Sequence, residues 1–255
     1  MIYLYGLLAE TPAASCETIR GISGVTGPVD LAVTDLGHLV FGQAETGTLA
    51  PKRRNLMAHA RVLEACQEHG DLLPMRFGMT ARDTDEITQT LALNASEIEA
   101  QFARIHGKVE YGIKINYPHE AALHATISAN PALEAEHGKL RAMHRPPHFA
   151  TAEFGRRLAE ALDRRRTDAQ RKVLSMLTDL CRDHVLSTPE DDAQILNFHV
   201  LAPREMGDIL AQEAQTAASA TRFVPDHDAQ VRLIGPEPPF HFVQMALETA
   251  SEEPA

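Results

Sequence analysis

The chain has 255 residues, 44% of them hydrophobic, with 24 Lys and Arg against 35 Asp and Glu and a formal charge of −11. That length and apolar content allow one large domain or two ordinary ones and exclude a disordered chain. So acidic a balance argues against nucleic acid and against an anionic membrane as partners, and the three scattered cysteines, Cys16, Cys66 and Cys181, form neither a disulfide framework nor a zinc spacing.

Residues 2–9 are rich in β-formers and predict a central first strand. No basic residue precedes this apolar run, so it does not read as a signal peptide, and no later stretch reaches the roughly 18 apolar residues a membrane span needs. A soluble cytoplasmic protein is therefore expected. Thr11-Pro12 closes the strand, and a short helix follows over 13–20. Gly21, Gly24 and Gly27 recur at the wrong spacing for a dinucleotide loop and lead into a strand, so they read as a flexible turn. Segments 30–35 and 38–42 flank Gly37 as a hairpin. Leu56, Ala60, Leu63 and Cys66 then trace a helix that Gly70 stops.

The next stretch, DLLPMRFG at 71–78, reads as one buried strand. Alternation places Leu73, Met75 and Phe77 on one face and Pro74, Arg76 and Gly78 on the other. Pro74 cannot donate to a ladder and belongs at an edge or at the strand's entry. Arg76 is expected to be a structural cation paired with a carboxylate. Asp83 and Glu86 form a capping box for one helix carrying Ile87, Leu91, Ile98, Phe102 and Ile105, ended by Gly107. In 108–117 the alternation turns Val109, Tyr111, Ile113 and Ile115 inward and Lys108, Glu110, Lys114 and Asn116 outward, as in a half-buried strand. Glu110 is the candidate partner of Arg76. This order is close to the split βαβ arrangement of a ferredoxin-like domain, with a helix and strand appended, over 1–118.

The second domain, 119–255, is read as α+β. Short helices break near Asn130-Pro131, and Pro146-Pro147 makes a corner. A long helix over about 149–186 carries the stripe Leu158, Leu162, Ala169, Val173, Leu177 and Leu180. Unbroken, it would run about 55 Å, enough to bridge two modules or offer a face to a partner. A strand over 195–202 and a helix from Pro203 to about 218 follow, with Met206, Ile209 and Leu210 inward. Three short strands, 222–224, 231–234 and one within 235–245, precede an acidic, frayed tail at 251–255.

No recognisable chemistry emerges. His119 and His124 lie about 140° apart around a helix and do not make a zinc-protease pair. His137, His144 and His148 recruit no evident cysteine or carboxylate. There is no nucleophile elbow, no phosphate loop and no acid/base pair. Arg156, Arg157, Arg164, Arg165, Arg166, Arg171 and Lys172 interleave with Glu153, Glu160, Asp163 and Asp168, as on a solvated, ion-paired helix face. The residues themselves lead to an acidic two-domain α+β protein with no catalytic apparatus, cofactor or metal.

Four motifs occur in order: YLYGL at 3–7, LPMRFG at 73–78, GKVEYGIK at 107–114 and GPEPPFHFV at 235–243. Together they resemble the gas vesicle protein family GvpF/GvpL. The resemblance implies an N-terminal ferredoxin-like domain and a C-terminal α+β domain. It also implies a non-enzymatic minor component of the gas vesicle, or a cytoplasmic assembly or adaptor factor, that binds the hydrophobic shell protein GvpA. Pro74, Met75, Arg76, Phe77, Gly78, Glu110, Gly235, Pro236, Pro238, Pro239 and Phe240 are then motif residues with a structural or partner-contact role. The family's terminal motif usually reads GPWPPY, and Glu237 and Phe240 depart from it. Such a role makes physical sense, because a small apolar subunit with bare strand edges aggregates unless shielded. The alternative is a small-molecule or anion-binding enzyme in which Arg76 holds the anion.

Overall fold

The computed structural model describes residues 1–44 and 49–245; the expected frayed tail lies outside them. The fold is mixed α and β, with two antiparallel sheets. Its contacts divide the chain into two compact units, Met1–Glu110 with the segment from Pro236 onward, and Tyr111–Gly235.

In the first unit the elements run β1 (Ile2–Leu8), α1 (Ala13–Arg20), β2 (Val29–Thr34), β3 (Gly37–Gln43), α2 (Arg53–Gln67), β4 (Leu72–Pro74), β5 (Thr80–Ala81), α3 (Thr84–Leu93) and α4 (Ala95–Ile105). The sheet order is β2-β3-β1-β4, with β5 also on β1. Every residue of β1 is buried, as a strand covered on both faces requires. Tyr3, Tyr5 and Leu8 pack with Ile19, Val62, Leu63, Cys66 and Leu72 in one cluster that draws on α1 and α2. α4 packs on β4 and α3 on β5.

Two expectations change here. The single helix over Ile87–Ile105 is broken at Asn94, which caps α3 with its backbone N–H on Ala92 O and Leu91 O and opens α4. Its side chain bonds back to Thr90 O at 2.7 Å, a local alternative that competes with helix continuation. The capping box is present in part: Asp83 Oδ1 accepts from Glu86 N at 2.9 Å, and Glu86 reaches the N–H of Arg82 at 2.6 Å. On α2 the buried face is His59, Val62, Leu63, Cys66 and Gln67, while Leu56 is half exposed. The stripe is rotated from the one the apolar spacing suggested.

The second unit continues from β6 (Lys108–Asn116) through α5 (His119–Ser128), α6 (Pro131–Ala142), α7 (His148–Leu177), β7 (His184–Leu186), β8 (Gln194–Pro203), a 3-10 turn at Arg204–Met206, α8 (Gly207–Thr221) and β9 (Gln230–Glu237). Its sheet order is β7-β8-β6-β9. The division between units runs through β6 and again near the end of β9, so the C-terminal segment returns to the first unit.

α7 stops at Leu177, about 45 Å long, and 184–186 is a strand on β8. α7 packs on α5, α6, α8 and β8, all within one unit, so it serves as a core helix of that unit. Asn130 caps α6 by accepting from Ala132 N and Leu133 N, with Pro131 at the first helical position. Ile209 is half exposed, whereas Leu210 is fully buried. Of the three terminal strands expected, only the middle one forms, as β9. The chain at 222–224 instead leaves α8 through Arg222 at φ 50°, and 238–245 is irregular with a turn at 240–242.

Gly37 closes the β2–β3 hairpin at φ 124°, and a Cβ there would lie 2.3 Å from Leu8 O. Gly37→Ala is therefore expected to cost about 1–3 kcal/mol through the positive φ and the collision. An unchanged midpoint in urea denaturation would contradict this.

Candidate functional site

The motif LPMRFG does not form a single strand. β4 ends at Pro74; Met75 N still donates to Tyr5 O at 2.8 Å, and the chain then leaves β1 and rejoins it where Leu4 N donates to Met79 O at 2.9 Å. Arg76, Phe77 and Gly78 make the excursion between. Gly78 permits the turn at φ 92°. Met75 is fully buried, Phe77 packs at the edge of the core cluster, and Arg76 is exposed.

A buried hydrogen-bonded chain holds this turn. His59 Nε2 lies 3.1 Å from Met75 O. A carbonyl only accepts, so Nε2 carries the proton and the neutral ring's Nδ1 is an acceptor. Tyr3 O–H donates to that Nδ1 at 2.9 Å and accepts from Gly78 N–H at 3.2 Å. Burial pushes the His59 pKa below its ordinary value and keeps the ring neutral, despite an opposing pull from Met75 O. Burial also pushes the Tyr3 phenol up to about 12. The Tyr5 ring stacks on His59 at 5.4 Å, and its hydroxyl accepts from Val25 N at 2.6 Å. Phe77 meets Tyr3 and His59 edge-on at 6.0 and 5.8 Å. The outcome is a buried, hydrogen-bonded base beneath an exposed arginine.

Arg76 makes no ion pair or side-chain hydrogen bond among the described residues, so it is not the paired structural cation expected. Its proposed partner, Glu110, is engaged elsewhere. Glu110 is 1% exposed, although alternation had placed it on an open face. Its carboxylate accepts from His241 N at 2.9 Å and from His241 Nδ1 at 2.5 Å. The hydrogen bond that His241 donates to this carboxylate raises the His241 pKa, against burial.

This bond anchors the terminal motif to the first unit. Pro238 and Pro239 carbonyls accept from Phe240, Phe242 and Val243 N–H groups in a tight turn. Gln67 donates to Glu237 O, Arg104 donates to Phe242 O and lies over its ring, and Gln101 pairs twice with Gln244. Phe242 is buried and Phe240 is 43% exposed. Gly235 and Pro236 lie in β9.

His59 and His241 were not singled out as holding these motifs. For His59 a signal was present: two phenols on a core strand, Tyr3 and Tyr5, require polar partners, and a histidine lay on the facing helix. The cysteines are all free and buried, and burial pushes the Cys66 and Cys181 thiols up to about 12 and about 11, which makes them poor nucleophiles.

A family model described as "Gas vesicle synthesis protein GvpL/GvpF" matches residues 1–244. Gas vesicle protein F of Streptomyces sp. (strain CB03234) is 29% identical over 243 residues, covering 95% of this chain and 99% of that protein. Gas vesicle protein F of Microcystis aeruginosa (strain PCC 7806) is 27% identical over 221 residues, covering 84% and 87%. The crystal structure of the gas vesicle protein GvpF from Anabaena sp. PCC7120 matches with a TM-score of 0.79 at 22% identity, covering 96% of this chain and 98% of that one. The GvpF structure from Microcystis aeruginosa gives 0.72 at 24%, covering 96% and 99%. At these identities the structural likeness shows the fold.

Tyr3→Phe strips Gly78 N–H and His59 Nδ1 of their partner and is expected to cost about 1–3 kcal/mol, read as a lower denaturation midpoint. The two histidines impose opposite pH dependences. His59, with its folded pKa depressed, contributes stability above about 6.5 that is lost as pH falls through its folded value. His241, with its folded pKa raised, contributes stability below about 6.5 that is lost as pH rises through its folded value. The stability difference between wild type and His241→Gln should therefore be largest in mild acid and shrink on the alkaline side. A difference that grows with pH would refute the assignment.

Proposed function

The chain belongs to the gas vesicle synthesis protein GvpL/GvpF family, and from that membership we propose that it is a non-enzymatic assembly or adaptor factor that binds the apolar shell protein GvpA as gas vesicles form. The observation that carries this reading is the family match over 1–244, which takes in every motif residue. Among the described residues no helix is long and apolar enough to cross a membrane.

The geometry supports action by surface contact. Met75, Phe77 and Gly78 are used to build a fixed turn, and Glu110 to fasten the terminal one. Arg76 and Phe240 are left exposed on these held segments, and this exposure supports reading them as partner-contact residues. Pre-ordering such groups lowers the entropy lost on binding. An acidic protein that covers the bare edges of a small apolar subunit also keeps it from premature association.

The first unit is read as ferredoxin-like. Its support is the order β1-α1-β2-β3-α2-β4, with β1 and β3 central and each antiparallel to its neighbours.

Co-purification with GvpA tests the assignment. Wild type should retain GvpA, whereas Arg76→Ala and Phe240→Ser should retain less while staying within about 0.5 kcal/mol of wild-type stability, as surface substitutions do. Failure of wild type to retain GvpA, together with normal floating vesicles in a deletion strain, would overturn it. An anion-binding enzyme would instead show a raised melting temperature with one nucleotide or organic acid, lost in Arg76→Ala.

A further inference from the structure

We propose that the corner joining α6 to α7 in the second unit is a docking surface for an acidic protein segment that carries an exposed apolar side chain. Every residue from 141 to 149 is exposed. Within this run Met143 is 48% and Phe149 80% exposed. The local helical core is complete without them: Ile127, Leu133, Phe154 and Ala161 pack together, with Leu140 and Leu158 against them. Two exposed apolar side chains thus fall within one nine-residue corner, and neither belongs to this core.

Charge identifies the occupant. From 137 to 152 there is no Asp or Glu, in a chain of net −11, and Lys139, Arg141 and Arg145 fall there. None of these three has an ion pair or side-chain hydrogen bond among the described residues. Further along α7 four of the cations are paired: Arg156 holds Glu153 and Glu160, Arg157 holds Glu136, Arg166 holds Asp163 and Arg171 holds Asp168, while Arg164 and Lys172 stand among acids of the same helix without an ion pair among the described residues. The corner cations thus remain available to carboxylates from outside.

Arginine, methionine and phenylalanine are the residue types enriched in protein interfaces. Pro146 and Pro147 stiffen the connection, so little conformational freedom is lost on binding. A short acidic segment matches the size of this basic island. A nucleic acid or an anionic bilayer extends well past it, onto a surface whose net charge repels both.

The test uses the full chain and fluorescence anisotropy with a short labelled peptide alternating Glu and Leu. The counter-probes are its Lys-for-Glu counterpart, a single-stranded oligonucleotide and phosphatidylserine vesicles. Wild type should bind the acidic peptide more tightly than any other probe, and added salt should weaken that binding. Arg141→Glu combined with Arg145→Glu should weaken it by about tenfold or more, and Phe149→Ser by about tenfold. Arg164→Glu, which reverses an exposed cation elsewhere on α7, should leave it unchanged. All these positions are exposed, so melting temperatures should match wild type. No binding by wild type, equal binding by the charge-reversed variant, or equal binding of oligonucleotide, vesicles or the Lys peptide would overturn the proposal.

Discussion

A phenol removed from water must keep its hydrogen bonds, and the first unit is arranged around that demand at Tyr3. Its hydroxyl accepts a hydrogen bond from Gly78 N–H and donates one to His59 Nδ1, and His59 Nε2 donates to Met75 O. Four groups on β1, α2 and the turn after β4 are thereby fixed in one direction of donation. Leaving one of them unpaired would cost more than the bond itself adds, which makes such a network specific. The excursion at 76–78 is held from beneath, so an exposed arginine stands on a rigid support.

The terminal motif is secured by the same logic with a charge in place of a phenol. Glu110 is almost wholly buried, and a buried carboxylate requires charged or N–H partners. His241 supplies both its backbone N–H and its ring. Around this clasp, Gln67, Gln101 and Arg104 bond to main-chain carbonyls of the same segment. The proline turn is therefore part of the first unit, and its aromatic residues divide into Phe242, which packs, and Phe240, which faces out.

The basic residues of α7 and of the α6–α7 corner fall into several arrangements that composition cannot separate. Those along α7 are mostly neutralised by carboxylates three or four residues away or on α6, as helical spacing allows. Arg165 instead turns inward to Thr126 and Phe223 O and lies over the Phe223 ring. The cations at the α6–α7 corner have neither arrangement. What distinguishes them is a run from 137 to 152 without Asp or Glu, together with the exposed Phe149.

The sequence by itself determined what depends on near neighbours. Alternating and helical patterns placed β1, α1, the β2–β3 hairpin and α6, the capping residues Asp83 and Asn130 marked two helix starts, and four short motifs pointed to the family. Tertiary structure decided whatever depends on partners distant along the chain. Arg76 and Glu110 looked like a pair because each is a charge on an apolar strand; the fold turned one to solvent and gave the other to His241, 131 residues away in sequence. LPMRFG read as one strand because alternation cannot report where β1 stops accepting it. The long helical stripe overran Leu177 because Leu180 continues the helical spacing, whereas in the fold the chain turns after Leu177 and 184–186 pairs with β8. Spacing fixes which face a residue occupies, but the satisfaction of buried polar groups is set by what the fold brings against that face.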